Sequence, residues 1–279
     1  MKKNKILLAI DVGNTAILLG VFCDSRLVFR TSVPTKECKK KIGKRIVRLL
    51  HFVRNDRHCE SEWGGNLVNL SAIVGSVVPG VDKVIKNGLQ KARIRCRFVK
   101  RLDIGISIRC RETEKVGVDR LLNAVAEHKF YKKAAIVVDC GTATTFDVVS
   151  PKGEYLGGAI APGLRIGAEA LAQRCAKLFQ VPLTFPRFAV GRDTKEAMLS
   201  GIILGHIAMI EGMIGKLKRE LKFKPIIIGT GGFISLIANR TKIFDTIDQD
   251  LTLKGLAIVA GVKKTMEISY NKSSSKLVF

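Results

Sequence analysis

The chain has 279 residues, of which 47% are hydrophobic and 26% are charged, and its formal net charge at pH 7 is +24. This length and apolar content predict one large or two small packed domains, and they exclude a fold that depends on disulfides for its core. The charge leaves open whether the partner is nucleic acid, a membrane surface or an anionic small molecule, or whether the whole proteome is basic.

The first half of the chain is predicted to be a sheet-rich segment that ends in a helix. Apolar runs bounded by turn residues predict strands at residues 5–10, 16–23, 26–32, 70–78 and 95–100. Pro79 is expected to stop the fourth of these strands. Residues 119–131 follow a helical period and predict a helix.

The densest basic stretch, residues 36–57, predicts an amphipathic helix. Its apolar positions are Ile42, Ile46, Leu49, Leu50 and Val53, and its interleaved cations are Lys41, Lys44, Arg45 and Arg48. Charges at such positions usually form a solvated outer face. Few aromatic residues accompany them, which argues against a stacking platform for single-stranded nucleic acid.

The second half repeats the sheet-rich pattern and adds helices. Strands are predicted at residues 134–139, 144–149, 155–160 and 225–228, and helices at 167–174, from 193 to about 221, and at 254–266. Asp193 and Glu196 are spaced as a helix N-cap and its N3 partner. Within the long helix, Gly201 and Gly205 lie one turn apart, which predicts close packing there.

Cysteine usage and the apolar runs indicate a cytoplasmic protein. The seven cysteines are widely spaced and form no C-x-x-C pair, which argues against a zinc ribbon and for free thiols in a reducing compartment. The apolar run at residues 6–10 is too short for a secretory signal, and no stretch is expected to approach a membrane span.

One short acidic turn occurs twice. Asp11-Val12-Gly13-Asn14-Thr15 closes the first apolar strand, and Asp139-Cys140-Gly141-Thr142-Ala143 closes the strand at residues 134–139. Glycine lets backbone amides approach a ligand, hydroxyls donate to phosphate oxygens, and a carboxylate holds a cation or its water shell. A lone Asp-x-Gly is usually only a hairpin turn. Two copies predict two similar subdomains that face a cleft and hold the phosphates of a nucleotide.

The remaining candidates lie at helix starts and at a further glycine turn. The chain contains no P-loop, dinucleotide-binding or nucleophile-elbow motif. Asp119 in Gly117-Val118-Asp119-Arg120 is either a helix N-cap or a base beside an anion-holding arginine. Thr194 either belongs to the first turn of its helix or binds a ligand there. Gly229-Thr230-Gly231-Gly232 is a weak signal for a backbone-exposing loop at a strand end.

Taken together, these segments resemble the type III pantothenate kinases, a family in the superfamily of acetate and sugar kinases, Hsp70 and actin. The resemblance covers most of residues 6–262. Its carriers are the two acidic turns, Ser76-Val77-Val78-Pro79, Gly117-Val118-Asp119-Arg120, Gly157-Gly158-Ala159-Ile160-Ala161-Pro162-Gly163, Asp193-Thr194-Lys195-Glu196-Ala197-Met198, Thr230-Gly231-Gly232 and Leu251-Thr252-Leu253-Lys254-Gly255-Leu256.

The resemblance implies an α/β fold of two ribonuclease-H-like subdomains of the actin and Hsp70 type, with mixed β-sheets and a nucleotide cleft between them. We place these subdomains at residues 1–118 and 119–279. The implied activity is ATP-dependent phosphorylation of the primary hydroxyl of pantothenate to 4'-phosphopantothenate, the first step of coenzyme A synthesis. The implied cofactors are ATP, Mg²⁺ and K⁺ or NH₄⁺, and the implied assembly is a homodimer. We expect neither nucleic acid nor a membrane as a partner.

The resemblance also assigns roles to individual residues. Asp119 is the expected proton acceptor, and Asp139 is expected to ligate the monovalent cation. The residues expected to line the pantothenate pocket are Gly117, Val118, Asp119, Arg120 and Thr194. The residues expected to contact ATP are Asp11, Val12, Gly13, Asn14, Thr15, Ala16, Ile17, Leu18 and Thr142, with Asp11 also near Mg²⁺.

The chain departs from the family pattern before Gly117. Cys110 stands where family members commonly carry a substrate-contacting tyrosine, and Thr113 stands near an expected proline. Three alternatives remain open: a kinase of another small alcohol or sugar, a regulatory protein that binds nucleic acid through residues 36–57, and a scaffold without activity.

Overall fold

A computed structural model describes residues 6–38, 42–46, 48 and 70–262. The chain divides into two compact units. Unit 1 runs to Ile104 and also includes Gly117–Leu122 and the residues from Thr252 onward, and unit 2 consists of Gly105–Val116 and Asn123–Leu251. Each unit is built on a five-stranded mixed sheet.

Unit 1 has a sheet whose central strand is almost fully buried. The strands are β1 (Ile6–Val12), β2 (Ala16–Cys23), β3 (Arg26–Pro34), β4 (Leu70–Ser76) and β5 (Arg95–Phe98). They lie in the order β3-β2-β1-β4-β5, with β1 antiparallel to β2 and parallel to β4. Residues 6–10 are at most 2% exposed, as expected for an unbroken apolar strand in the middle of a covered sheet. The predicted strands of the first half are confirmed.

Helical segments pack on this sheet. Residues 42–46 are helical, with Ile42 and Ile46 in the core and Lys44 exposed, which agrees with the predicted amphipathic helix. The structure adds helix α1 (Pro79–Lys91), which the sequence analysis missed. Pro79 does follow the end of β4, but it also occupies the first helical position, where its fixed φ is favourable. Lys41, Leu49, Leu50 and Val53 lie outside the described residues.

Unit 2 repeats the topology of unit 1. Its strands are β6 (Ala135–Cys140), β7 (Ala143–Val149), β8 (Tyr155–Pro162), β9 (Ile226–Thr230) and β10 (Thr246–Ile247). Their order is β10-β9-β6-β7-β8. Read from the β8 edge, the strands β8-β7-β6-β9-β10 occupy the positions that β3-β2-β1-β4-β5 occupy in unit 1. β6 is antiparallel to β7 and parallel to β9, as β1 is to β2 and β4. The predicted internal repeat is confirmed.

The remaining helices follow the predicted positions with small shifts. They are α2 (Val118–Tyr131), α3 (Leu164–Arg174), α4 (Thr194–Leu199), α5 (Gly205–Glu220), α6 (Ile234–Ile237) and α7 (Leu251–Val259). The helix predicted at residues 254–266 begins at Leu251 and ends at Val259, and residues 263–266 of that prediction lie outside the described residues. The short elements β10 and α6 were not predicted, because so few residues carry no readable period.

Helix α7 is one reason that the units differ from the two contiguous segments expected at residues 1–118 and 119–279; in addition, Gly105–Val116 belongs to unit 2 and residues 119–122 belong to unit 1. A Cβ built at Gly20 would lie 2.8 Å from Leu253 Cδ1, and one built at Gly75 would lie 3.2 Å from Leu256 Cδ2. These glycines therefore make room for α7 on the first sheet. The helix thus completes unit 1, although it follows unit 2 in the chain.

Helices α4 and α5 form one helical run, Thr194–Glu220, joined by a π-helical segment at Ser200–Leu204. The Asp193 carboxylate accepts from Glu196 N at 2.8 Å, so the predicted N-cap is confirmed. The predicted close packing at Gly201 and Gly205 is wrong. Both glycines are exposed, and a Cβ built at either would meet open space.

The same run also corrects the expectation that no stretch approaches a membrane span. Among the helices of the described residues, this run is the one that is long and apolar enough, by length and composition, to cross a membrane. Ile203, Ile210 and Ile214 instead belong to the hydrophobic core of unit 2. Part of the apolar surface of the helix is thus used for packing in the core of unit 2.

Candidate active site

The first acidic turn joins β1 to β2 at one end of the unit 1 sheet. Val12 pairs with Ile17, so residues 13–16 form the turn, and Gly13 N donates to Ala16 O at 3.0 Å. Asp11 is the last residue but one of β1. The turn therefore presents its carboxylate, two backbone amides and a hydroxyl within a few residues.

Exposure separates the predicted ATP contacts of this turn into two groups. Asn14 and Ala16 are exposed, and Asp11, Gly13, Thr15 and Leu18 are half-buried. Val12 and Ile17 are fully buried in the core of unit 1. The side chains of Val12 and Ile17 therefore support the turn, and only their backbone atoms are available to a ligand.

Thr35 braces this turn, a role that the sequence analysis did not identify. Its hydroxyl donates to Gly13 O at 2.7 Å, and its amide donates to Thr15 O at 2.9 Å. Thr35 follows β3 directly and is itself buried. No local pattern reveals such a contact, because its partners are some twenty residues away in sequence.

The start of α2 holds the predicted base. The Asp119 carboxylate accepts a hydrogen bond from Arg120 N at 2.9 Å and lies over Gly117, where a built Cβ would be 2.4 Å from Asp119 Oδ1. Because α2 begins at Val118, Asp119 lies in the first turn and is not the N-cap residue. Gly117 is thus the residue that leaves room for this position of the carboxylate.

The electrostatic setting of Asp119 makes its carboxylate more basic than usual. Burial raises the pKa of Asp119 above its ordinary value, while the hydrogen bond from the Arg120 amide and the positive charge of Arg120 lower it in part. A general base works best when its pKa approaches the working pH. The half-buried carboxyl group has the character that proton acceptance requires.

Asp11 and the start of α2 lie at the same end of the unit 1 sheet. Asp11 is the register partner of Gly75 on β4. A Cβ built at Gly75 would lie 2.9 Å from Leu122 Cδ1 and 3.8 Å from Val118 Cγ1. The structure therefore brings the first acidic turn and the segment with Asp119 to neighbouring positions within one unit.

The second acidic turn occupies the equivalent end of the unit 2 sheet. Cys140 pairs with Thr144, and Gly141 N donates to Ala143 O at 3.0 Å, so this turn is one residue shorter than the first. Asp139 Oδ2 accepts from Asn123 Nδ2 of α2 at 3.2 Å. Asn123 was not predicted as a partner of Asp139, because it lies among the apolar residues of a helix.

Glycines bring three loops together around this turn. A Cβ built at Gly231, where φ is +93°, would lie 2.4 Å from Asp139 Oδ1. One built at Gly163, after β8, would lie 2.2 Å from Thr142 O. The Gly229–Gly232 segment, weak as a sequence signal, therefore packs directly against Asp139. Thr142 is half-buried in the same group.

Thr194 and Cys110 lie on two other segments of unit 2. Thr194 is the exposed first residue of the helical run. It precedes His206, which contacts β7, by twelve residues, a distance of about 18 Å along a helix. Cys110 lies beside β8, where a Cβ built at Gly157 would be 3.3 Å from its Sγ.

The carboxylates of the two acidic turns, Asp11 and Asp139, suit cations that a bound substrate also ligates. Among the described residues, no three His, Cys, Asp or Glu side chains cluster so as to hold a metal ion. Mg²⁺ in nucleotide sites commonly takes one or two carboxylates together with phosphate oxygens and water. Asp11 can supply such a carboxylate. Asp139 supplies a second carboxylate, and the backbone of Gly231 lies directly against it.

Comparison with known proteins identifies the family. A model of the type III pantothenate kinase family matches residues 7–216. A type III pantothenate kinase from Paramagnetospirillum magneticum is 40% identical over 258 residues, which is 90% of this chain and 95% of that protein. The chain belongs to the type III pantothenate kinases. The enzyme of this family from Thermus thermophilus is 38% identical over 254 residues, covering 90% of this chain and 97% of that one.

Two solved structures share the mixed α/β fold of this chain. A Campylobacter jejuni protein described as a putative Baf family transcriptional activator has a TM-score of 0.55 at 19% identity and covers 91% of this chain and 97% of its own. The ethanolamine utilization protein EutJ from Carboxydothermus hydrogenoformans has a TM-score of 0.52 at 14% identity, with 93% and 90% covered. At these identities the likeness concerns the fold alone.

Membership of the type III pantothenate kinases confirms the predicted enzyme class, a kinase that acts on pantothenate. It also confirms the mixed α/β fold of two similar halves. The predicted roles of single residues, the identity of the cations and the cleft stay predictions.

Proposed function

We propose that this kinase transfers the γ-phosphoryl group of ATP to the primary hydroxyl of pantothenate, with Asp119 as the proton acceptor. The observation that carries the proposal is the half-buried Asp119 carboxylate at the start of α2, oriented by the Arg120 amide at 2.9 Å. Its raised pKa suits a group that takes the hydroxyl proton. Arg120 supplies a fixed positive charge beside it for an anionic substrate.

Most of the catalytic work falls to positioning, because phosphoryl transfer passes through a loose transition state with little covalent help from the protein. We assign the amides and the hydroxyl of the Asp11 turn to the ATP phosphates, with Asp11 holding the divalent ion. Thr35 keeps this turn in shape through its bonds to Gly13 and Thr15. When bound, Mg²⁺ neutralises charge on the phosphate oxygens.

The second turn is assigned to ATP and to the monovalent cation. Thr142 contacts ATP, and Asp139 holds K⁺ or NH₄⁺. Asn123 donates to one carboxylate oxygen of Asp139 and so fixes its orientation. Thr194 and the segment Gly117–Arg120 are assigned to pantothenate.

The decisive test is ADP release from ATP with pantothenate as acceptor, measured for the wild type and for Asp119→Asn. The amide keeps the shape of the carboxylate but cannot accept the proton, so turnover should fall by about 10²- to 10⁴-fold with the fold intact. Asp103→Asn is the control, since Asp103 is an exposed carboxylate that caps a short helix of the same unit. Turnover of Asp119→Asn close to that of the wild type would remove Asp119 from the mechanism.

The same assay run in potassium, ammonium and sodium buffers tests the role of Asp139. We expect faster turnover with K⁺ or NH₄⁺ than with Na⁺, and equal rates in all three buffers would contradict a monovalent-cation site. Glycerol and small sugars as acceptors test the alternative of another alcohol kinase.

We further propose a cytoplasmic homodimer. The described cysteines, Cys23, Cys38, Cys96, Cys110, Cys140 and Cys175, are all free thiols, as suits a reducing compartment. Large hydrophobic side chains are exposed on unit 2, among them Val190 at 80% and Ile160 at 65%. Where such residues are contiguous, they are typical of a surface that a partner covers, and this supports the proposal of a dimer formed through unit 2.

A further inference from the structure

A buried hydrogen bond joins the long helix of unit 2 to the strand that carries the second acidic turn. Thr144 Oγ1 and His206 Nε2 are 2.9 Å apart. Thr144 is 0% exposed and His206 is 9% exposed. A buried polar pair in an otherwise apolar core is costly unless its atoms find partners, and here the Thr144 hydroxyl and His206 Nε2 are partners of each other.

Thr144 is well placed to control the turn. It lies on β7 two residues after Thr142, and its backbone pairs with Cys140 on one side and Ala161 on the other. The same strands continue into the loops with Thr142 and Gly163, which approach each other closely. The Thr144 hydroxyl therefore links α5, through a side-chain hydrogen bond, to the strand that directly follows the second acidic turn.

A π-helical segment lies just before His206 in the long helical run. The π-helical segment Ser200–Leu204 ends directly before Gly205, and His206 follows. A π-turn contains about one residue more than an α-turn and is frequent at functional sites. It changes the direction in which every later side chain points, so that His206 faces β7 while Gly205 is exposed.

The imidazole ring of His206 is suited to a hydrogen bond that persists at neutral pH. Burial lowers the pKa of His206, so the ring is neutral at neutral pH, with one nitrogen as donor and the other as acceptor. A neutral ring makes a hydrogen bond to a hydroxyl without placing a charge in the core of unit 2. Its rigid side chain also transmits the position of the helix more faithfully than a flexible one.

We propose that His206 is a positioning residue for nucleotide binding: through Thr144 it holds the second acidic turn, and with it Thr142, in the conformation that binds the nucleotide. This inference rests on the proposed role of Thr142 in contacting ATP. His206 itself touches no substrate in this scheme.

The test measures MgADP binding by calorimetry and thermal unfolding for the wild type, His206→Phe, Thr144→Val, the double variant and Thr144→Ser. Each single apolar variant leaves one polar atom buried without its partner, whereas the double variant removes both. We expect both single variants and the double variant to bind MgADP roughly three- to tenfold more weakly, the equivalent of one buried hydrogen bond. Thermal stability should recover in the double variant, while affinity should not. Thr144→Ser keeps the hydroxyl and should bind as the wild type.

Tyr155→Phe is the matched control. It removes another buried hydrogen bond of β7, from Tyr155 to Asp147 at 2.9 Å, at the end of the strand away from the turn. It should lower the midpoint of unfolding and leave MgADP affinity unchanged.

The outcomes separate this inference from the proposed function. If the wild type binds MgADP and the three apolar variants bind it equally well, the positioning role is overturned and the proposed function stands. Affinity that recovers together with stability in the double variant also overturns it, because His206 would then serve only the core. If the wild type fails to bind MgADP, the assignment of the second turn falls, and this inference falls with it.

Discussion

The properties of Asp119 arise from its immediate neighbours in the chain. Gly117 leaves the space into which the carboxylate folds, and the Arg120 amide holds one of its oxygens. The sequence alone identified Asp119 and Arg120 as an acid beside a cation at a helix start. It could not identify Thr35 or Asn123, because their partners belong to distant segments that meet only in the folded chain.

At this scale we predict the effect of Gly117→Ala. The added methyl group would lie 2.4 Å from Asp119 Oδ1, and the short acidic side chain is the part able to give way. A catalytic group displaced by about 1 Å can cost on the order of 10²-fold in rate, so we expect kcat to fall by about 10- to 100-fold. The midpoint of thermal unfolding should change little, since no backbone atom is displaced.

Gly212→Ala is the control for this prediction. Gly212 lies in α5, and a Cβ built there meets open space. Its kcat should equal that of the wild type, and a wild-type kcat for Gly117→Ala as well would show that the position of the carboxylate is not critical.

At the scale of elements, α2 carries three polar residues one turn apart along its buried face. Asn123 bonds to Asp139, and Tyr131 donates to Asp248 at 3.2 Å. Glu127 between them is fully buried, and neither of its oxygens has a hydrogen-bond partner. Burial raises the pKa of Glu127 from 4.5 to about 8, so the folded protein holds a proton there that the unfolded chain releases at neutral pH.

The consequence is a pH-dependent stability that Glu127→Gln should abolish. Because the folded pKa lies above the unfolded one, the contribution of the protonated group is complete below pH 4.5 and is lost as the pH rises through about 8. The loss is about 1.4 kcal/mol for each pH unit within that window. The wild type should therefore lose stability relative to Glu127→Gln between pH 5 and about 8, measured as the midpoint of thermal unfolding.

Glu169→Gln removes an exposed carboxylate of α3 and serves as the control. Its unfolding midpoint should follow the wild type at every pH. If Glu127→Gln also followed the wild type, the Glu127 carboxyl group would have to be ionised in the folded protein.

Helices and strands with a regular spacing of apolar residues were predictable from the sequence. Elements that begin at an unusual residue or contain an irregular turn were not. The strand pairs on either side of each acidic turn were readable because apolar runs and turn residues alternate there. Pro79 was interpreted only as the end of a strand, although it also begins α1. The π-helical segment stayed hidden, because an apolar run reads as one helix whether or not a single turn holds an extra residue.

At the scale of the whole molecule, the two sheets have one topology repeated. The repeat was visible in the sequence as two acidic turns, and the strand orders confirm it. The boundary between the units was not predictable, since α2 and α7 each contribute residues to unit 1 by packing on Gly75. Contacts between residues so distant in sequence leave no local signal.

The proposed homodimer is testable at this scale. Among the described residues, the large exposed hydrophobic side chains lie on unit 2, namely Ile160, Ile166, Phe179, Phe188, Val190 and Ile247, with Leu102 of unit 1 as the exception. Light scattering should give twice the chain mass of 30.6 kDa. Val190→Asp combined with Ile160→Asp should yield monomers, because buried unpaired charges are costly.

Leu102→Asp provides the comparison, because Leu102 is 81% exposed, as Val190 is at 80%, but lies on unit 1. It should leave the mass unchanged. A wild-type protein with the mass of one chain would rule out the dimer.

The packing of α7 on the first sheet has a consequence for biosynthesis. Leu253 and Leu256 fill space beside Gly20 and Gly75, so the amino-terminal half lacks part of its interior until α7 has left the ribosome. Domains that are contiguous in sequence can fold in turn during translation. Here the half made first must wait for the half made last, and a nascent chain stalled before Leu251 exposes an apolar surface for chaperones to bind.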